Sequence, residues 1–71
     1  MMHAIGDLLL AYTVNNYIVF GIITEMYENN KVYFVTWFMD NGNIVQHYNE
    51  ANIIALKQNL SDYIERATIT K

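Results

Sequence analysis

The 71-residue chain has no cysteine, no proline, three glycines and four basic residues. Lacking cysteine, it has neither a disulfide staple nor a thiolate zinc site, and two histidines, His3 and His47, do not make a metal site by themselves. Lacking proline and any Gly/Ser-rich stretch, it carries no linker signal and reads as a single domain over 1–71. The basic residues Lys31, Lys57, Arg66 and Lys71 lie scattered through the second half of a chain of net charge −3. A phosphate backbone finds little to hold there, so nucleic acid is not an expected partner. The longest apolar run, Leu8 to Ala11, is far shorter than the roughly 20 residues of a membrane span, so no membrane partner is expected. His3 and Asp7 leave the start of the chain without the basic region of a signal peptide. Together these features point to a cytoplasmic protein or a component of a particle assembled in the cytoplasm.

Catalytic signals are equally sparse. Three isolated glycines build no phosphate loop, and no HExxH or paired-carboxylate motif occurs. His47 with Glu50 and His3 with Asp7 are the pairings that hint at acid-base work, and neither has a nucleophile or an orienting third group nearby in sequence. No enzymatic activity and no cofactor are expected.

What the chain does have is apolar side chains, 54% of the total against the usual 45 to about 50%. Between Tyr17 and Tyr48 the segments YIVFGIITEMY, KVYFVTWFMD and NIVQHY read as three antiparallel strands, joined at Glu28-Asn29-Asn30 and at Asp40-Asn41-Gly42. LLLAYTV, introduced by the turn pair Gly6-Asp7, is a further strand before them. Asn15-Asn16, Asn29-Asn30 and Asn41-Gly42 mark reversals, because asparagine tolerates left-handed backbone and forms side-chain turns.

Both faces of this meander are apolar. Tyr17, Val19, Gly21 and Ile23 alternate with Ile18, Phe20, Ile22 and Thr24, and neither set is polar before Glu25. Tyr33, Val35, Trp37 and Met39 alternate with Val32, Phe34, Thr36 and Phe38, with Val35 and Trp37 expected inward. Gly21 in mid-strand implies a sharp bend, a bulge or the close approach of another backbone. In the tail, Ile53, Leu56, Leu60, Ile64 and Ala67 follow helical spacing. Either one helix starts near Asn49, or Ile53 to Leu56 closes the sheet as a strand and a helix begins at an Asn59 cap. The second arrangement is the expectation, with Leu60, Tyr63, Ile64 and Ala67 available to cover a sheet face.

Gly6-Asp7-Leu8, Gly21-Ile22-Ile23-Thr24-Glu25 and the hairpin Val35-Thr36-Trp37-Phe38-Met39-Asp40-Asn41-Gly42 resemble the motifs of SH3-like small barrels. They are most similar to the Tudor-like and KOW-like barrels encoded by tailed bacteriophages. The resemblance implies a mainly β fold: a small SH3-like barrel of about five antiparallel strands over 5–57, followed by a C-terminal α-helix over 58–69. It also implies a binding role in the host cytoplasm or the virion. In Tudor-like readers an aromatic cage encloses a methylated cation, and the matching positions here are Tyr12, Tyr17, Trp37, Phe38 and Asp40. KOW-like members that bind nucleic acid carry basic loops, which this chain lacks.

The expected function is therefore a non-enzymatic protein-protein interaction module, a small virion component or host-factor binder. It would act through an apolar strand face with Tyr17, Phe20, Tyr33, Trp37 and Phe38 as anchors, and the expected partners are another protein and a second copy of the chain. The alternatives are a reader or nucleic-acid-binding barrel and an inhibitor of a bacterial defence enzyme. The acidic residues at turns and strand ends read as a solvated rim.

Overall fold

The asparagine pairs punctuate the chain where their backbone tolerance predicts. In a computed structural model that describes residues 3–69, Asn16, Asn29 and Asn30 adopt φ values of 64°, 59° and 66°. Glu28 joins the last two at 53°, and Gly6 turns the chain into the sheet at 95°. Met1 and Met2 lie outside the described residues. Between the turns run β1 (Leu8–Tyr12), β2 (Ile18–Tyr27), β3 (Val32–Met39) and β4 (Gly42–Tyr48). They form one antiparallel meander in the order β1-β2-β3-β4.

Register sorts the side chains onto two faces. The inner face carries the core cluster Leu9, Ile23, Tyr33, Val35 and Trp37, joined by Ile53, with Ala11, Val19, Met26, Tyr48 and Leu56 packed around it. On the outer face Phe20 stands opposite both Leu10 and Phe38, and Val45 opposite Thr36. Val35 and Trp37 are inward as expected, at 0% and 5% exposure.

Two devices in β2 make this arrangement work. Strict alternation from Ile23 would aim Glu25 into the core, where an unpaired carboxylate is costly. A bulge between Ile23 and Glu25 pairs Glu25 with Phe34 and Met26 with Tyr33, which turns the acid out and the thioether in. Gly21 lies opposite Trp37, and a Cβ at that position would stand 2.5 Å from the indole Cε3 and 2.9 Å from the Thr36 carbonyl oxygen. The glycine thus makes room for the indole to lie flat across β2. The Trp37 Nε1–H donates to the Tyr48 hydroxyl at 2.9 Å, and that hydroxyl donates to Gln46 Oε1 at 2.6 Å, fastening β4 to the core.

The tail departs from the expectation. Ile53 to Leu56 is not a fifth strand: α1 (Glu50–Ile69) runs unbroken through it, the four-stranded sheet stays unclosed, and the helix begins well before 58. Asn49, rather than Asn59, is the cap. Its Oδ1 accepts the Asn52 amide at 2.9 Å while Asn52 Oδ1 accepts the Asn49 amide at 3.4 Å, a capping box with asparagine in both roles. Glu50 in the first turn and Arg66 in the last suit the helix dipole. Ile53 is completely buried, and that burial is available to a helix laid on the sheet, so the 3.6-residue spacing prevails.

The helix crosses the β1 edge. Ile53 and Leu56 pack on the inner face, Asn59 Nδ2 donates to the Leu10 carbonyl at 3.1 Å, and Tyr63 meets the outer-face Phe20 ring edge-on at 6.1 Å. Leu9 and Leu10, which point to opposite faces, are consequently both at 0% exposure.

Candidate functional site on the outer sheet face

Tyr63 covers the outer face only in part. Ile18, Phe20, Phe38 and Val45 are exposed by 39, 38, 46 and 58%, and Ile64, one of the helical residues available to cover that face, is itself 54% exposed. Phe20 and Phe38 are directly paired across β2 and β3, Phe38 faces Asn43 on β4, and Val45 faces Thr36 one row further along. The result is an exposed aromatic pair on β2 and β3, with Val45 diagonal to it on β4 beside the polar Asn43 and Thr36. At the far end of the face Phe34 lies between Tyr27, edge-on at 5.2 Å, and His47, tilted at 5.9 Å.

The anchor residues expected from the sequence divide sharply. Tyr17, Phe20 and Phe38 are exposed, whereas Tyr33 and Trp37 are core residues at 3% and 5% and offer no surface to a partner. Their large rings fill the space under α1 and β4 that a small domain has few other residues to fill. Val45 and Ile18 were not singled out by sequence reasoning. The signal that finds Val45 is the two-residue turn Asp40-Asn41, which sets Met39 opposite Gly42 and so places Asn43, Val45 and His47 on the outer face.

The five-residue cage does not assemble. Tyr17, Phe38 and Asp40 share an open cleft of about 430 Å³ with Thr13, Ile18 and Met39, while Trp37 faces away toward Tyr48 and Tyr12 lies outside the cleft. Tyr17 is held there by its amide donating to Thr13 Oγ1 at 3.1 Å.

The histidines also take partners other than those their sequence neighbours suggest. His47 sits on Phe34, and Glu50 instead approaches His3 Nε2, at 3.8 Å. Lys57 bridges His3 and Asp7, donating to His3 Nδ1 at 2.8 Å and to Asp7 Oδ2 at 2.6 Å. The imidazole is enclosed against the Tyr33 ring, and its Nε2 has no hydrogen-bond partner. Burial, reinforced by the Lys57 charge, lowers the His3 pKa below 6.5. The Lys57 hydrogen bond, with one from the Ala4 amide, holds the Asp7 carboxyl below 3.8. This cluster ties the start of the chain to α1. Among the described residues, no group of three or more His, Cys, Asp or Glu is placed to hold a metal ion, and no helix is long and apolar enough to cross a membrane.

No protein-family model, curated protein or solved structure matches the chain.

Proposed function

We propose that this protein is a non-enzymatic interaction module whose working surface is the outer sheet face, with Phe20, Phe38, Ile18 and Val45 as its contact residues. The observation that carries this reading is the aromatic pair Phe20–Phe38, still 38% and 46% exposed beside Tyr63, with the exposed Val45 diagonal to it on the last strand. The dimensions agree with it. The chain exposes 5249 Å², whereas a compact monomer of 8.3 kDa exposes about 4,600 Å². Its radius of gyration is 12.6 Å against about 11 Å for a compact chain of this length. A second copy is the simplest partner. The SH3-like motif resemblance supports placing such a module among virion components or host-factor binders.

Light scattering on a size-exclusion column at micromolar concentration tests the reading. The wild type is expected above the monomer mass and Phe38→Asp at the monomer mass. A monomeric wild type refutes self-association.

A second reading is favoured by the cleft of Tyr17, Phe38 and Asp40, where an aromatic pair beside a carboxylate suits a methylated cation. Titration with a trimethyl-lysine peptide, followed by Tyr17 and Phe38 ring shifts in NMR, decides it. Unmoved resonances at millimolar peptide dismiss the cage.

A further inference from the structure

We infer that two copies of the chain join through β4, antiparallel and centred on Val45, to make one continuous eight-stranded sheet. The inference rests on the proposal above that the molecule works by association, and it names the surface and the partner.

The sheet has two edges, and they are treated differently. At β1, α1 lies along the edge and Asn59 takes up the Leu10 carbonyl. At β4, which pairs with β3 and with nothing else among the described residues, the edge is open. Proteins guard open edges with lysine, proline, bulges or a covering element. Over Gly42–Tyr48 there is no charged residue and no proline, and the register with β3 runs without a break. The bulge of this sheet sits in β2, where it does not protect an edge.

Hairpin geometry then states which backbone groups are free. Met39 and Gly42 close a two-residue turn as a hydrogen-bonded pair, so bonded and non-bonded pairs alternate along the ladder. Asn43, Val45 and His47 fall at the non-bonded positions, and their N–H and C=O groups point away from β3. In a two-fold pairing centred on Val45, Val45 meets its own copy and Asn43 meets His47 of the second chain. All three outward residues become hydrogen-bonded pairs at once, and a register shifted along the strand leaves at least one of them unmatched.

The chemistry of the strand selects a second copy over another peptide. The chain carries a net charge of −3, yet the residues brought together here are Gly, Asn, Ile, Val, Gln, His and Tyr, so pairing the strand with itself sets no carboxylate against another. A charged peptide finds no counter-charge along it. Val45 meeting Val45 sets the two exposed valines against each other, flanked on either side by Thr36, so the pairing shelters the open edge and the valine beside it. The roughly 800 Å² that each partner buries in a standard interface is of the order of the surface this chain exposes beyond a compact monomer.

The test combines mass, residue-level protection and a chemical reporter on the full chain. Wild type is expected at twice 8.3 kDa by light scattering. Val45→Pro, which removes an N–H that the β3 ladder does not use, and Val45→Lys, which keeps every ladder bond, are both expected at the monomer mass with the blue-shifted Trp37 emission of the folded chain. Amide exchange at Asn43 and His47 is expected to be about tenfold slower in wild type than in Val45→Lys. Because the chain has no cysteine, Val45→Cys is a clean reporter, and oxidation is expected to link it as a dimer while Ile18→Cys stays unlinked. A dimeric wild type whose Asn43 and His47 amides exchange freely, and which Val45→Lys leaves dimeric, overturns the β4 pairing while leaving association through the face intact. A wild type that is monomeric at micromolar concentration overturns both. A dimer of the Val45→Cys variant that oxidation fails to link overturns the register.

Discussion

At the β1 edge, two leucines on opposite faces are sealed and an outward carbonyl has its donor, whereas the β4 edge across the sheet ends in seven residues of which Tyr48 alone is partly covered. The contrast follows from size. The helix α1 is long enough to wrap one edge, and once Ile53, Asn59 and Tyr63 have been committed to β1, no element among the described residues remains for β4. A chain closed into a barrel by a fifth strand has no such asymmetry, because closure removes both edges together. The direction of the tail therefore decides what surface the protein presents.

The comparison can be broken most violently at the covered edge. Ile53→Ala leaves a cavity between helix and sheet and is expected to cost 2 to about 5 kcal/mol, enough to unfold much of so small a domain, as followed by Trp37 emission in urea. Gly21→Ala forces the indole off β2 and away from Tyr48, loosening the hold on β4, and is expected to cost about 1–3 kcal/mol in the same assay. Asn59→Ala orphans the Leu10 carbonyl, for about 1 kcal/mol, and amide exchange along β1 is expected to quicken while β4 is unchanged.

Acid loosens the covered side gradually. His3 has a lowered pKa in the folded chain, so between that value and 6.5 the unfolded chain binds the proton and the folded one does not. Stability is expected to fall as pH drops through and below 6.5. Asp7, held below 3.8 by Lys57, contributes stability that is complete above 3.8 and is lost as pH falls through its own lower pKa. His3→Gln is expected to remove the first decline and leave the second, measured as the urea midpoint against pH. At the open edge, Val45→Lys is expected to change monomer stability by less than about 0.5 kcal/mol, the smallest effect on folding and the largest on association.

Four strands, their turns and the inward place of Val35 were legible in the sequence. Two-residue alternation and asparagine turns are local signals, and each acts within a few residues of itself. Local patterns could not decide between strand and helix at Ile53 to Leu56, because a short apolar stretch suits either, and they could not separate the anchors Tyr17, Phe20 and Phe38 from the core rings Tyr33 and Trp37. The bulge that turns Glu25 outward was equally hidden, since it follows from what Met26 and Tyr33 do across the sheet.

By itself, then, the order of residues determined a meander with greasy surfaces on both sides and no means of stapling itself shut. Tertiary structure alone decided which side and which edge the helix would occupy. That choice depends on whether Ile53 finds more buried contact lying across the sheet than lengthening it, a comparison between whole arrangements that no short window of sequence contains.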